Sequence, residues 1–309
     1  MADSDHKPGD ARARGETIAR ILASDAQPAP APLTAEAYRF LGDTDLPASR
    51  YTCQAFFQQE LSNMWSRCWQ WACREEHLPE VGDHYVYDIG PYSVIVARIA
   101  RDEIKAFINS CTHRGTRLLG DEGVGHGQGF SCPFHGWSWH LNGVLKEVPG
   151  HWDFPHVCEA SHSLQPVACD SWQGFVFINL DPDASPLHEQ LDVLPDHFAH
   201  FPLDQRRIRL HVQKVLPANW KAAQEAFMEA YHNFTTHDSP TGGNAQYDIF
   251  GPHASRFIHT IGHYSPESLA DYPGDKWRAP PLTEQELLAG IPVTQRALAE
   301  GETARAAGA

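Results

Sequence analysis

The stretches Cys111-Thr-His-Arg-Gly115 and Cys132-Pro-Phe-His-Gly-Trp137 decide how this 309-residue sequence is interpreted. Each contains one cysteine and one histidine, two or three positions apart, with a glycine soon after. Six glycines lie between Cys111 and Cys132, so this segment is predicted to form loops and a hairpin. Thiolates and imidazoles are both strong metal ligands. The two stretches therefore predict one metal centre held between two loops.

The mixing of ligand types in each loop separates two kinds of metal centre. A Rieske [2Fe–2S] centre binds one iron through two thiolates and the other through two imidazoles, so each loop can supply one ligand to each iron. A structural Cys₂His₂ zinc site usually pairs cysteine with cysteine and histidine with histidine at short spacing. The alternation seen here predicts a [2Fe–2S] cluster, and zinc is the alternative. Its predicted ligands are Cys111, His113, Cys132 and His135.

The residues around the first ligand loop have the pattern of short antiparallel strands. Runs rich in β-branched and aromatic residues, separated by turn residues, occupy 84–89, 92–97, 104–109, 136–146 and 174–180. Before them, apolar residues at helical spacing predict an amphipathic helix over Phe56 to Trp71. The metal centre is thus expected in an all-β unit.

A second group of candidate ligands lies further along the chain. The longest predicted helix runs from Asn219 to about Tyr231. If this helix continued for one more turn, its period of 3.6 residues would place Glu225, Glu229 and His232 on one face.

His237 follows His232 by five positions, which is about 140° around a regular helix. The helix must therefore end or bulge between them if both imidazoles are to reach one metal. Two imidazoles and one carboxylate form the facial triad of non-haem Fe(II) oxygenases, which leaves coordination positions open for O₂ and substrate. His232 and His237 are accordingly predicted to bind a mononuclear iron.

The two cluster loops resemble those of Rieske-type ring-hydroxylating oxygenases and their ferredoxins. Respiratory Rieske proteins carry an extra cysteine in each loop, and the two cysteines form a disulfide; the corresponding residues here are Thr116 and Phe134. The resemblance therefore points to the soluble, low-potential branch. It extends over roughly residues 50 to 270, because the downstream segment resembles the family's carboxylate-x₂-His-x₄-His pattern.

The resemblance also assigns a role to Glu229. The family usually has an aspartate three residues before its first iron-ligating histidine, where it bridges the iron site to the Rieske cluster of a neighbouring subunit. Glu229 occupies that position and keeps the charge and hydrogen-bonding groups. We expect it to serve as an inter-subunit electron-transfer bridge.

A third iron ligand, a carboxylate further downstream in the family, is not identified in this sequence. Candidates by residue type alone are Asp248, Glu267, Asp271, Glu284 and Glu286. The simplest interpretation is that the sequence is a C-terminally truncated oxygenase alpha subunit.

The resemblance implies an α+β fold, with an all-β Rieske domain and a partial catalytic domain of antiparallel sheet with helices. We expect an N-terminal extension and linker at 1–50, a helix at 51–74, the Rieske domain at 75–182 and the partial catalytic domain at 183–309. Within the linker, Pro28 to Pro32 is predicted to be a stiff tether.

The implied activity is hydroxylation of a small, often aromatic, substrate with O₂. Electrons would come from NAD(P)H through a reductase, often with a ferredoxin, enter the [2Fe–2S] cluster and pass to a mononuclear Fe(II). The implied assembly is a homotrimer, or an α₃β₃ complex with a small beta subunit. The alternative is a Rieske ferredoxin-like electron-transfer protein with a vestigial iron site.

Composition excludes several other classes. A net charge of −15 argues against a nucleic-acid partner. No apolar run approaches the roughly 18–20 residues that cross a bilayer, and the acidic N-terminal residues do not resemble a secretory signal, so a cytoplasmic protein is expected. Seven cysteines, an odd number, argue against a disulfide framework. A basic patch for an acidic electron donor could come from Arg98, Arg101, Lys105, Arg114 and Arg117.

Overall fold

The structure is a computed structural model, and it describes residues 18–42, 44–120, 123–229, 232 and 245–259. These residues fall into two compact units. The ligand-loop unit comprises Gln58–Gln190 and Phe201–Gln213. The hairpin unit comprises the described residues up to Phe57, Leu191–His200, and the described residues from Lys214 onward.

Ten strands build the ligand-loop unit. They are β1 (Gln70–Arg74), β2 (Asp83–Ile89), β3 (Tyr92–Ala100), β4 (Glu103–Ile108), β5 (Gly123–His126), β6 (Gly129–Ser131), β7 (Ser138–His140), β8 (Leu145–Glu147), β9 (Pro166–Trp172) and β10 (Phe175–Asn179). Seven of them form one antiparallel sheet in the order β1-β10-β9-β4-β3-β2-β5. Strands β2, β3 and β4 pair consecutively, which confirms the predicted meander.

Strand β3 is buried on both faces. Val94 and Val96 pack into one hydrophobic cluster, while Ile95 and Ala97 pack into another. This division follows from the pleat, because successive side chains of a strand point to opposite faces of the sheet. The second cluster also contains Cys111 and Cys132 and the aromatic rings around them, so the two predicted thiolate ligands belong to the core.

A small sheet carries the second ligand loop. Its order is β6-β7-β8, and β6 pairs with β7 so that Ser131 lies opposite Ser138. Residues 132–137 are therefore the tip of a hairpin. At Gly129 a Cβ atom would lie 2.4 Å from the carbonyl oxygen of Trp139, so only glycine permits this close approach of the two strands.

The α-helices of the described residues are all short. They are α1 (Ile18–Ala23), α2 (Ala31–Thr34), α3 (Ser49–Thr52), α4 (Gln54–Glu60), α5 (Glu159–His162), α6 (Leu187–Leu191), α7 (Leu194–Phe198) and α8 (Trp220–Glu225). A π-helical turn spans Leu61–Trp65, and 3₁₀ turns span Glu75–His77, His151–Asp153 and Leu203–Gln205. Within the described ranges, no helix has the length and apolar character needed to cross a membrane.

The helix predicted over Phe56 to Trp71 is too long. Helix α4 continues into the π-helical turn and ends at Trp65. Gln70–Arg74 is instead strand β1, which pairs with β10 at the edge of the large sheet. These residues form a strand because their backbone pairs with a strand far along the chain. The helical spacing of their apolar side chains could not predict that pairing.

The hairpin unit is built around strands β11 (Ala245–Phe250) and β12 (Ala254–His259), which pair antiparallel. Asp248 is fully buried and accepts hydrogen bonds from Arg256, at 2.7 Å, and from the backbone N–H of Ala37, at 2.8 Å. The backbone N–H of Ile249 donates to Ala37 at 2.9 Å. The hairpin thus binds the N-terminal segment.

The prediction of a stiff tether at Pro28 to Pro32 is wrong in its last two residues. Helix α2 begins at Ala31, with a proline in its first turn, where the missing N–H costs nothing. Arg256 donates to the carbonyl oxygen of Pro32 at 2.7 Å and also to that of Ala35. A guanidinium with five donors can satisfy these carbonyls, so the segment docks onto the hairpin.

Candidate metal centres

The first ligand loop is a tight turn closed by two backbone hydrogen bonds. Gly115 donates to the carbonyl of Cys111 at 2.9 Å, and Cys111 donates to the carbonyl of Thr116 at 2.8 Å. Gly115 has φ of +75°, a conformation that favours glycine. The turn reverses the chain, so Thr116 comes back alongside Cys111.

The second ligand loop repeats this geometry. Gly136 donates to the carbonyl of Cys132 at 3.0 Å, and Cys132 donates to the carbonyl of Trp137 at 2.7 Å. Gly136 also has φ of +75°. The two loops differ in where the histidine stands, but in both the glycine is four positions, and the returning residue five positions, after the cysteine.

The two predicted imidazole ligands lie together. The Nδ1 atoms of His113 and His135 are 3.2 Å apart. Two nitrogens bound at typical metal–imidazole distances to one tetrahedral metal would be about 3.3 Å apart. Burial, followed by the neighbouring His135 and Arg114, lowers the pKa of His113, which favours the neutral imidazole that binds metals. The pair therefore has the spacing of two ligands on one iron.

The two predicted thiolate ligands also lie together, and both are buried. Each thiol shifts the pKa of the other: Cys132 raises that of Cys111, and Cys111 lowers that of Cys132. Burial and the neighbouring Cys132 raise the pKa of the Cys111 thiol, although the amides of His113 and Arg114 donate to its sulfur.

The sulfur of Cys132 is surrounded by more effective donors. Burial alone would raise its pKa, but hydrogen bonds from the amides of His135 and Phe134, from Cys111 and from the side chain of Thr116 outweigh burial. The pKa of Cys132 is therefore lowered. Such donors stabilise the thiolate form that binds iron.

The arrangement fits a binuclear cluster better than a single ion. A zinc site of this composition would need all four side chains around one point. A [2Fe–2S] cluster needs only two protein ligands on each iron. The donors here form one thiol pair and one imidazole pair, as that cluster requires.

Both loops are anchored to the carbonyl oxygen of His162. The hydroxyl of Thr112, in the first loop, and the indole N–H of Trp139, just after the second, each donate to it at 2.9 Å. This common acceptor at the end of α5 fixes the two loops relative to each other. The sequence patterns gave no indication of it, because a backbone carbonyl has no sequence signature.

At the second candidate site the structure describes Glu229 and His232. One carboxylate oxygen of Glu229 lies 2.5 Å from Nδ1 of His232, and the other accepts the backbone N–H of His232 at 3.2 Å. A carboxylate that accepts a hydrogen bond from Nδ1 of a histidine fixes the orientation of the ring and leaves Nε2 to bind a metal. His237 lies outside the described residues.

The predicted helix before this site is shorter than expected. Asn219 caps α8 by accepting the N–H of Lys221 at 3.0 Å, but the helix ends at Glu225 and not near Tyr231. Two tighter turns follow, in which Phe227 and Met228 donate to residues three positions earlier. Glu229 and His232 therefore meet beyond the helix, and Glu225 instead accepts the hydroxyl of Tyr51 at 3.0 Å.

Of the carboxylates considered as a third iron ligand, the structure describes Asp248. Its two oxygens already accept hydrogen bonds from Arg256, Gln246 and Ala37. This buried ion pair is structural. The other candidates, Glu267, Asp271, Glu284 and Glu286, lie outside the described residues.

The basic residues near the first loop are largely paired within the chain. Arg117 contacts Asp88 at 2.8 Å, and Lys105 contacts Glu103 at 3.1 Å. Arg98 lies 3.7 Å from Glu75. A patch made of these residues is therefore partly neutralised.

Comparisons with known proteins match both halves of the chain. The family model of the Rieske [2Fe-2S] domain matches residues 68–157, and that of the ring hydroxylating alpha subunit catalytic domain matches residues 197–291. The chain is 33% identical over 193 residues to the alpha subunit of biphenyl 2,3-dioxygenase from Rhodococcus jostii, covering 60% of this chain and 42% of that protein. It is 30% identical over 189 residues to the carnitine monooxygenase oxygenase subunit of Escherichia coli K12, covering 60% and 50%.

Solved structures of a Rieske monooxygenase and of a naphthalene dioxygenase are also similar to this chain. A quaternary ammonium Rieske monooxygenase, CntA, matches with a TM-score of 0.57 at 26% identity, covering 62% of this chain and 54% of that one. A naphthalene 1,2-dioxygenase matches with a TM-score of 0.52 at 31% identity, covering 61% and 44%. The chain spans about half the length of the curated relatives it matches.

Proposed function

We propose that this chain, which belongs to the alpha subunits of the Rieske non-haem iron oxygenases, is the oxygenase component of a system that hydroxylates a small, aromatic substrate with O₂. The observation that supports this most directly is the pairing of His113 with His135, 3.2 Å apart, beside the buried thiols of Cys111 and Cys132. The Glu229–His232 pair supplies the beginning of a second iron site.

Each group of residues has a distinct part in the proposal. Cys111 and Cys132 bind one iron of the [2Fe–2S] cluster, and His113 and His135 bind the other. The cluster accepts single electrons, which come from NAD(P)H through a reductase, with or without a ferredoxin. Because Arg98, Lys105 and Arg117 contact acidic residues of the chain, we propose that Arg101 and Arg114 provide the positive charges that attract the reductase or ferredoxin.

His232 and His237 bind the mononuclear Fe(II) in this proposal. Glu229 holds the Nδ1 proton of His232, so that Nε2 is the nitrogen presented to iron. Its carboxylate is 44% exposed, which is compatible with a second partner from another subunit. We propose on this basis a trimer, with or without beta subunits, in which Glu229 links the iron to the cluster of a neighbouring chain.

The class of substrate is a further part of the proposal. The relatives include a biphenyl dioxygenase and a carnitine monooxygenase at similar identity. We propose an aromatic substrate, and turnover of carnitine or a related quaternary ammonium compound in preference to aromatic compounds would contradict this. A cytoplasmic location is part of the same proposal.

Iron and sulfide analysis of the purified chain tests the proposal. We expect three irons and two inorganic sulfides per chain, together with a Rieske-type EPR signal after reduction. His232→Ala should lose one iron and keep the signal. Two irons in the unaltered chain would favour the ferredoxin-like electron-transfer protein, and stoichiometric zinc without sulfide would overturn both.

A further inference from the structure

The side chain of Asn109 joins the two ends of the first ligand loop. Asn109 follows strand β4 and stands two positions before Cys111. Its Oδ1 accepts the backbone N–H of Leu118 at 3.1 Å and that of Leu119 at 3.0 Å. These two leucines come just after the loop, so one side chain connects the strand that enters the loop to the residues that leave it.

The nitrogen of the same side chain binds two more partners. Nδ2 of Asn109 donates to the hydroxyl of Ser93, on strand β3, at 3.0 Å and to the carbonyl of Leu119 at 2.8 Å. The backbone N–H of Asn109 also donates to the carbonyl of Ser93 at 2.9 Å. A side-chain amide has two N–H donors and two lone pairs on its oxygen, and all four are used here. The base of the loop is thereby bound to the large sheet.

These bonds require an amide at position 109. The oxygen must face the two backbone N–H groups and the nitrogen must face the carbonyl of Leu119, because N–H groups donate and carbonyls accept. Aspartate would lack the donors, and leucine would lack both donors and acceptor. Asn109 is only 4% exposed, so a partner that lost its bond would lie away from water and would cost free energy.

We propose that Asn109 is a positioning residue for the first ligand loop, which holds Cys111 and His113 where the [2Fe–2S] cluster binds them. This inference rests on the cluster proposed above. Leu118, which Asn109 binds, packs in the same hydrophobic cluster of side chains as Cys111, so the bonds of Asn109 act close to a ligand. Residues that orient metal ligands from outside commonly change metal affinity by about 10–100-fold when they are replaced.

The test measures how fast the full chain loses its cluster, from the decay of visible absorbance in excess chelator. Asn109→Leu keeps a similar volume and removes all four side-chain hydrogen bonds. We expect it to lose the cluster at least about tenfold faster than the unaltered chain, the lower end of the effects of residues that orient metal ligands. Far-UV circular dichroism shows whether the variant is folded when the decay is measured.

Asn179→Leu is the matched control. Asn179 is 2% exposed, lies on strand β10 and binds the carbonyl of Arg67 at 3.3 Å and the N–H of Asp181 at 3.0 Å. Its replacement should destabilise the fold but leave the rate of cluster loss unchanged. Equal acceleration in both variants would mean that general destabilisation releases the cluster, and the inference would fail. It would also fail if Asn109→Leu lost its cluster at the rate of the unaltered chain.

Asn109→Asp and Asn179→Asp form a second matched pair, for use if Asn109→Leu does not fold. Aspartate keeps the size and an acceptor oxygen but has no side-chain N–H group, so we expect faster cluster loss in Asn109→Asp alone. If Asn109→Asp also failed to fold, Asn109 would be needed for the fold as a whole, and the claim that it positions the loop would be wrong. Absence of any Rieske signal in the unaltered chain is a different outcome, since it would overturn the proposed cofactor itself.

Discussion

The indole of Trp137 lies parallel to the imidazole of His113, with ring centroids 4.8 Å apart and an angle of 7° between the planes. Trp137 is buried and also contacts Phe154 edge to face at 5.8 Å. The ring therefore joins a predicted iron ligand to the hydrophobic core.

Replacement of Trp137 by alanine should destabilise the fold and the cluster together. Large-to-small changes at buried tryptophans cost about 3–5 kcal/mol, because they remove apolar contacts and leave a cavity. We expect Trp137→Ala to lose this much free energy of unfolding, as measured by denaturant titration. Its cluster content, measured by EPR, should also be reduced. Trp152→Ala is the control, since Trp152 is 74% exposed. Equal effects of both substitutions would contradict this account of Trp137.

Exchange of either cluster imidazole for a thiolate should lower the reduction potential. Rieske centres lie at roughly −150 to +300 mV, whereas all-cysteine plant-type clusters lie near −400 mV, because the additional negative ligands disfavour reduction. The unaltered chain should lie toward the low end of the Rieske range. His113→Cys and His135→Cys should each retain two irons in the cluster and shift its potential downward in a redox titration. A variant that kept its cluster at the original potential would show that the histidine is not a ligand.

Glu229→Gln should separate electron transfer from metal binding. The amide keeps the shape but loses the charge that holds His232, so both centres should persist while turnover decreases at least about tenfold, the loss expected for outer-shell partners. The comparison requires an assembly that turns over substrate, with iron content and EPR measured on the same sample. Glu229→Asp should recover much of the rate.

Glu225→Gln is the matched control for this prediction, because Glu225 lies at the end of α8 and contacts Tyr51. Its turnover should resemble that of the unaltered chain. Normal turnover by Glu229→Gln with both centres intact would leave Glu229 without a role in electron transfer.

His77 should make folding stability sensitive to mild acid. Burial lowers the pKa of its imidazole below the usual 6.5, even though the charge of Glu76 acts in the opposite direction. Below pH 6.5 the unfolded chain therefore binds a proton that the folded chain resists, and stability decreases as the pH falls toward the folded-state pKa.

In His77→Gln this contribution should disappear. Denaturant titrations at pH 7.5, 6.5 and 5.5 should show a smaller decrease in the free energy of unfolding for the variant than for the unaltered chain. The variant can be less stable at pH 7.5, since it alters the bond to Arg74, without affecting the test. An identical decrease in both proteins would mean that His77 does not titrate in this range.

Local patterns predicted the parts of this structure that depend on neighbouring residues. Alternating β-branched and aromatic residues marked β2, β3 and β4, and the ligand spacing marked the two loops. The pairing of His113 with His135 follows from those loops.

Contacts between distant residues were beyond the reach of those patterns. Arg256 binds the carbonyl of Pro32, and residues 70–74 form a strand with β10; neither partner is visible in the local sequence. The stacking of Trp137 on His113 joins two separate loops, and the spacing of residues within each loop does not predict it.

The stacking of Trp137 on His113 has a consequence for how substitutions in the two loops combine. Trp137 belongs to the second loop and contacts a predicted ligand of the first. Free-energy changes usually add for distant, independent sites and fail to add for residues in one connected network. Damage to one loop should therefore affect the predicted ligands of the other, and the effects of paired substitutions, one from each loop, should not be the sum of the single effects.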